Sequence, residues 1–278
     1  MPRSKANGVE IEYETFGDPA NETVLLINGL GSQMTRWPEA FCEKLVAKGY
    51  HVVRMDNRDV GLSTWLKDGD AYRLEDMAAD AVGVLDTLGV DKAHVAGVSM
   101  GGMIAQVIAA DHPGRVKSLT SIMSTSGAPH LPQATPEAFA VLTTRAPDPK
   151  ADLEAFIAHG VKNARTIGSP GYPWTDEALR ERVIAEQARA YNPPGVQRQM
   201  AAVRATGDRT ERLKGIKAPT VVLHGADDPL VPVSGGEHTA ASIPGAELRI
   251  IPGMGHDLPP ALYDTVADAI TAAAKRSA

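Results

Sequence analysis

The stretch VAGVSMGGM, Val95 to Met103, decides how this 278-residue chain is read. It sets one serine between glycines, after the apolar run AHVAGV (Ala93–Val98) and before the helical pattern MGGMIAQVIAADH. Small residues at 97 and 101 let the backbone close around a sharp strand-to-helix turn. Such a turn lifts the Ser99 hydroxyl above the end of a sheet and seats it at a helix N-terminus, where negative charge is stabilised. A serine that merely capped the helix would need neither flanking glycine. The bare G-x-S-x-G pattern is weak, so the rest of the chain has to supply the weight.

Outward from that turn, short apolar runs alternate with helical patterns. VEIEYETFG (Val9–Gly17) alternates with period two, like a half-exposed strand. TVLLIN (23–28), HVVRMD (51–56), AHVAGV, SLTSIM (118–123), TVVLHG (220–225) and AELRII (246–251) are mostly continuous, as strands buried on both faces are. Between them, Arg73–Gly89 keeps Leu74, Met77, Ala78, Ala81, Val82, Leu85 and Leu88 on one face, with Gly89 as a stop signal. This alternation predicts an α/β fold, a mostly parallel sheet covered on both sides. The pattern breaks between about Thr125 and Leu213, where helical segments such as DPKADLEAFIAHGVKNA occur without a convincing strand. Residues 126–213 are therefore expected to form a helical cap over the C-terminal edge of the sheet, where open α/β sheets bind ligands. The core is expected from residues 1–125 and 214–278.

Composition narrows the function. With 43% hydrophobic and 22% charged residues the chain can bury a large core. A net charge of -6 without a Lys/Arg cluster speaks against nucleic acid as partner. The single cysteine, Cys42, excludes an intramolecular disulfide framework and reads as a packed, reduced thiol in a helix. A cytoplasmic protein is expected. The N-terminus has no apolar leader, and no window holds 18 unbroken apolar residues, so neither a signal peptide nor a membrane span is expected.

A serine hydroxyl needs a base, and the base needs an orienting carboxylate. Of eight histidines, His51, His94 and His224 lie beside strands and read as structural, and His112 closes a helix. His130, His159 and His238 carry no local signature, although His130 is a candidate to face a pocket. His256 stands apart, on the Gly-rich loop IPGMGHDLP after the last strand. The carboxylate candidates are the adjacent Asp227 and Asp228 in HGADDPLVP, just past another strand. Nucleophile, acid and base then follow in the order Ser, Asp, His, each after a separate strand.

With these residues in hand, the chain resembles the α/β-hydrolase family over nearly its whole length. LINGLGSQ (26–33) resembles the family's HG-x-G oxyanion loop, with Asn28 in place of His. MDNRDVGLS (55–63) is similar to its D-x-R-G-x-G-x-S turn, with Asp59 where a glycine is usual. GVSMGG resembles the nucleophile elbow, HGADDPLVP the G-x-x-D acid turn, and GMGHDLP the histidine loop. The resemblance extends to small bacterial carboxylesterases of the aclacinomycin methylesterase kind. It implies an eight-stranded, mostly parallel sheet with helices on both faces and a helical cap after the sixth strand. It also implies a serine ester hydrolase in which Ser99 attacks, His256 is the base and Asp228, not Asp227, orients it. The oxyanion would be held by the backbone N–H groups of Leu30 and Met100.

No cofactor is implied. No metal-ligand cluster or P-loop is present, and GLGSQM has Met34 where a dinucleotide fingerprint needs its third glycine. The expected partner is a small-molecule ester, met by pocket candidates Met34, Trp37, Met123, His130, Tyr172 and Trp174. Three other readings stay open: a C–C bond hydrolase, a cofactor-free perhydrolase or haloperoxidase on the same residues, and a ligand receptor on the same fold. Nothing in the sequence marks an oligomer face.

Overall fold

The computed structural model describes residues 2–67 and 69–277. Its strands are β1 (Arg3–Ala6), β2 (Val9–Phe16), β3 (Thr23–Ile27), β4 (His51–Met55), β5 (Ala93–Val98), β6 (Val116–Ile122), β7 (Thr220–Gly225) and β8 (Glu247–Ile251). They form one eight-stranded sheet in the order β1-β2-β4-β3-β5-β6-β7-β8. The pairs β1–β2 and β2–β4 are antiparallel, and every later pair is parallel. The sequence runs thus find their strands within two residues at either end. β1 is the addition: RSKA is too short and polar to show a period. Its signal is Asn7-Gly8, both with positive φ (50° and 79°), the turn that closes a tight hairpin onto β2.

The central strands alternate between two cores because both faces of a parallel sheet are covered. Leu25 and Ile27 of β3 and Val95 of β5 pack with α2 (Leu74–Thr87) and α3 (Met100–Asp111). Val24, Leu26 and Ala96 face the other side, with α1 (Glu39–Ala47) and α10 (Tyr263–Lys275). Trp37, Phe41 and Tyr263 stack in series there, ring centroids 5.0 and 5.7 Å apart, and pin α1 to α10. Cys42 lies in this core; burial pushes its thiol up to about 12, so it stays protonated and unreactive.

Five helices follow β6 before the chain re-enters the sheet: α4 (Pro136–Thr143), α5 (Leu153–Ile167), α6 (Asp176–Arg189), α7 (Pro193–Thr206) and α8 (Thr210–Leu213). One further helix, α9 (Val233–Ser242), separates β7 from β8. Among the described residues no helix is long and apolar enough to cross a membrane.

The crossing from β5 to α3 fixes the centre. A Cβ on Gly101 would stand 2.2 Å from Ile27 O, and one on Gly97 would stand 2.1 Å from Gly101 O. Both obstacles are main chain and cannot swing aside. Gly101→Ala is therefore expected to destabilise the protein by at least the roughly 1–3 kcal/mol of ordinary overpacking, or to abolish soluble expression. Urea denaturation of the variant against wild type checks this.

Candidate active site

Ser99 sits between β5 and α3 with φ 55° and ψ −121°, a conformation that a non-glycine residue adopts at a cost of order 1–3 kcal/mol. The strain is held from outside the turn: Ser99 N–H donates to Ile122 O at 2.9 Å, and Ser124 Oγ donates to Ser99 O at 2.8 Å. The glycine-rich turn after β3 lies directly against it. A Cβ on Gly29 would come within 3.1 Å of Ser99 Cβ, so only glycine lets that turn approach. Among the described residues, neither Leu30 N–H nor Met100 N–H donates to a protein acceptor.

The acid turn is held from two sides. Asp228 Oδ1 accepts from Leu230 N at 2.9 Å and Val231 N at 2.8 Å, which leaves Oδ2 to accept from His256 Nδ1 at 2.7 Å. Asp227 is exposed and turns away, accepting from Gly253 N. Beneath them His224 donates from Nε2 to Val231 O at 2.8 Å. Burial holds the His224 ring below its ordinary pKa and hence neutral, although Val231 O and Asp228 oppose this. His51 and His94 likewise bond to neighbouring strands, through Thr23 and Ser118.

Asn28 and Asp59, the two departures from the motif pattern, behave differently. Asn28 O accepts from Asn57 Nδ2, while Asn28 Nδ2 is buried without a partner among the described residues. Asp59 takes φ +69° where glycine is usual. Its carboxylate receives Arg198 of α7 bidentately at 2.8 and 2.7 Å and the Tyr72 hydroxyl at 2.9 Å. Burial would push this carboxyl up, but Arg198, Leu66 N and Tyr72 outweigh burial and hold it below the ordinary range.

Ser99, His256, Leu30 and Met100 all border one cavity of about 1330 Å³, roofed by α4–α7. That exceeds the roughly 300–1,000 Å³ usual for small-molecule sites. Of the pocket candidates, Trp37, Met123 and Trp174 border it. The other three lie elsewhere. Met34 is fully buried, its N–H bonded to Asp56 Oδ1 at 2.6 Å. His130 is exposed and packs edge-on against His238, and Tyr172 packs on the α10-side core. Nothing in the sequence pattern marks Arg182, which spans the wall beside Asp257, 5.0 Å over the Trp174 ring. Its Nε has no hydrogen-bond partner among the described residues. Burial, with the Arg36 charge, lowers it to about 10, against the pull of Glu186 and Asp257. Among the described residues no group of three or more His, Cys, Asp or Glu is placed to hold a metal.

Comparison with known proteins assigns the chain to a family. Residues 18–260 match the model of the serine aminopeptidase S33 family. The chain belongs to this family of α/β-hydrolases. A rhodomycin D methylesterase of Streptomyces peucetius is 31% identical to this hydrolase over 287 aligned positions, covering 95% of the chain and 94% of the relative. A 2-hydroxy-6-oxononadienedioate/2-hydroxy-6-oxononatrienedioate hydrolase of Paraburkholderia xenovorans is 30% identical, covering 89% and 84%. The meta-cleavage product hydrolase of Pseudomonas fluorescens IP01 has the same fold, with a TM-score of 0.80 at 20% identity over 100% of this chain and 98% of that one.

Replacing Asp59 by glycine relieves a left-handed residue, worth about 1 kcal/mol. It also removes a carboxylate that receives Arg198 bidentately and the Tyr72 hydroxyl, and hydrogen bonds to a charged group contribute roughly 1.5–3 kcal/mol each. Asp59→Gly is therefore expected to lose stability in urea denaturation. Since the folded Asp59 carboxyl lies below its unfolded value of about 3.9, its contribution is complete above that pH and is lost as pH falls through the folded value. Stability measured against pH should fall more steeply on the acid side in wild type than in Asp59→Asn.

Proposed function

We propose that this α/β-hydrolase cleaves carboxylic esters through a Ser99 acyl-enzyme. The observation that carries the reading is the bond from His256 Nδ1 to Asp228 Oδ2 at 2.7 Å. It leaves His256 Nε2 as the imidazole face for proton transfer, and His256 and Ser99 border the same cavity. Ser99 Oγ attacks the ester carbonyl while His256 takes its proton. Asp228 steadies the resulting imidazolium. The tetrahedral oxyanion is received by the N–H groups of Leu30 and Met100, the latter at the first turn of α3 where the helix dipole adds to it. His256 returns the proton to the departing alcohol, and water then repeats the sequence on the acyl-enzyme.

The methylesterase relative and the large, mainly apolar cavity together support a methyl or other small-alcohol ester of a bulky acid. Helices α4–α7 then act as a cap over it. A second reading, C–C bond cleavage of a dicarboxylate, has one observation in its favour. Arg182 Nε lacks a partner in the cavity wall, and a relative is named for an enedioate substrate. The surrounding charges favour the ester. Arg36 and Arg182 are matched by Glu186 and Asp257, so the cluster sums to zero and offers a dianion no net attraction.

Hydrolysis of p-nitrophenyl esters from acetate to palmitate, and of methyl esters of polycyclic aromatic acids, tests this in wild type and Ser99→Ala. The expected result is multiple turnover in wild type and a loss of at least about 10³-fold in the variant, as for a missing nucleophile. Residual activity of a few per cent would remove Ser99 from the role. Turnover of 2-hydroxy-6-oxo-dienedioates in place of esters would decide for the second reading. Asp228→Asn is expected to cost about 10⁴-fold in kcat by analogy with other triad aspartates. Asp227→Asn should stay within a few-fold, and comparable losses would overturn the assignment of the acid.

A further inference from the structure

The turn that carries Leu30 has two consecutive amides, and one of them is already taken. Gly31 N–H donates to Gln199 Oε1 at 2.8 Å. The other end of that side chain, Nε2, donates to Arg58 O at 2.8 Å. Gln199 is fully buried on α7, so a residue of the insertion spends both ends of its amide on the main chain of the core. α7 presses the same turn a second time, three residues earlier: a Cβ on Gly31 would stand 3.0 Å from Val196 Cγ2. Gly31 itself has φ +64°.

We infer that Gln199 is a positioning residue for ester cleavage: by holding the Gly31 amide it aims the preceding Leu30 N–H at the developing oxyanion. The inference rests on Ser99 being the nucleophile. Its physical basis is the freedom of the turn. Leu30 stands between Gly29 and Gly31, the two least restrained backbone positions available. Each peptide is a rigid plane, so the Leu30 and Gly31 amides can be re-aimed only by rotation about the bonds of Leu30 and its neighbours. Gly31 is half-buried, so leaving its N–H unpaired costs part of the roughly 1–3 kcal/mol of a fully buried donor. Without Gln199 it would turn to another acceptor and carry the Leu30 plane with it. An oxyanion donor acts only at about 2.7–3.1 Å from the charge, and a displacement of about 1 Å can cost roughly 10²-fold. Gln199 thus makes the insertion part of the catalytic geometry as well as its roof.

The test compares Gln199→Met, which removes the acceptor at similar volume, with Gln199→Glu. The glutamic acid keeps an oxygen for Gly31 and, protonated in this buried place, a donor for Arg58 O. Each is assayed on the best ester for kcat and KM and titrated with a trifluoromethyl ketone that adds to Ser99 as a tetrahedral adduct. Arg198→Gln, which loosens α7 elsewhere, is the control. The expected result for Gln199→Met is a fall in kcat of about 10- to 100-fold, with KM within threefold. The ketone's inhibition constant should rise by the same factor as kcat falls, and Gln199→Glu should recover most of both. Arg198→Gln is expected to lower Tm without changing the ketone's advantage over the ester. If Gln199→Met does not fold, Gln199→Asn withdraws the acceptor by one methylene and is expected to behave likewise. Loss of active enzyme in Gln199→Met with unchanged kcat per titrated site and unchanged ketone affinity would overturn the positioning role. A wild type that forms no ketone adduct would instead overturn the Ser99 reading beneath it.

Discussion

The close approach of three backbones at the β5–α3 crossing is the constraint on which this structure depends. Ile27 O at the end of β3, the Gly97 turn and Gly101 at the start of α3 leave no room for a methyl group between them. That contact ties strand β3, and the turn after it, to the strand that delivers Ser99. It also forces Ser99 into a positive φ, the cost of which is met by the bonds from Ser124 and to Ile122 on the neighbouring strand. A sheet edge alone does not make a site; here a point of close backbone approach and the candidate nucleophile coincide.

The strand ends around that point carry loops whose polar groups need partners once buried, and the insertion supplies many of them. His256 N–H donates to Ile167 O, and Gly255 N–H to Ser169 Oγ, so the end of α5 supports the histidine loop. Arg189 of α6 reaches Asp56 at 2.8 Å, Arg198 of α7 reaches Asp59, and Gln33 is bonded to the carbonyls of Glu186 and Ala190. Buried ion pairs of this kind add little stability over apolar packing. What they do here is fix one docking of the helices on the loops, because a shift of either would strand a charge. The cap reading draws on these contacts, while the turn that carries Leu30 is reached by Gln199 alone of the α7 hydrogen bonds described.

These features differ in how far the sequence displays them. Strands β3 to β8 show because both faces of a parallel sheet are apolar, and Ser99, His256 and Asp228 show because each follows such a run. β1 hides because three polar residues and an alanine show no period; only Asn7-Gly8 betrays it. The walls of the cavity hide for another reason. A helical pattern tells which face is apolar but not what that face meets, so His130 and Tyr172 were expected near the mouth and lie away from it. Met34 sits in the turn after β3 yet points inward, anchored through its own N–H to Asp56. Gln199 had one legible trace: it shares the α7 face with Val196, Met200 and Val203 at helical spacing, and those three border the cavity. A glutamine on an apolar stripe is a buried polar group in need of two partners.

On the proposed reading, specificity is a matter of the roof rather than the sheet. The chemistry at Ser99 would be the same for an ester and for a C–C bond, so selection falls to what the wall presents to the rest of the substrate. Asp257 is the pivot. Burial pushes its carboxyl up, against the pull of Ser169 and Arg182, and its charge decides whether the cluster beside His256 is neutral or positive. While Asp257 is ionised, the Arg36 and Arg182 charges are matched by Glu186 and Asp257, and a neutral acyl group is buried without leaving a new unpaired charge. Were Asp257 protonated, the same wall would carry one net positive charge and would favour an acidic substituent on the acyl group. Asp257 directly follows His256 in sequence and is held by the insertion through Ser169, so on the proposed reading one carboxyl would link the roof's architecture to the class of acyl group selected.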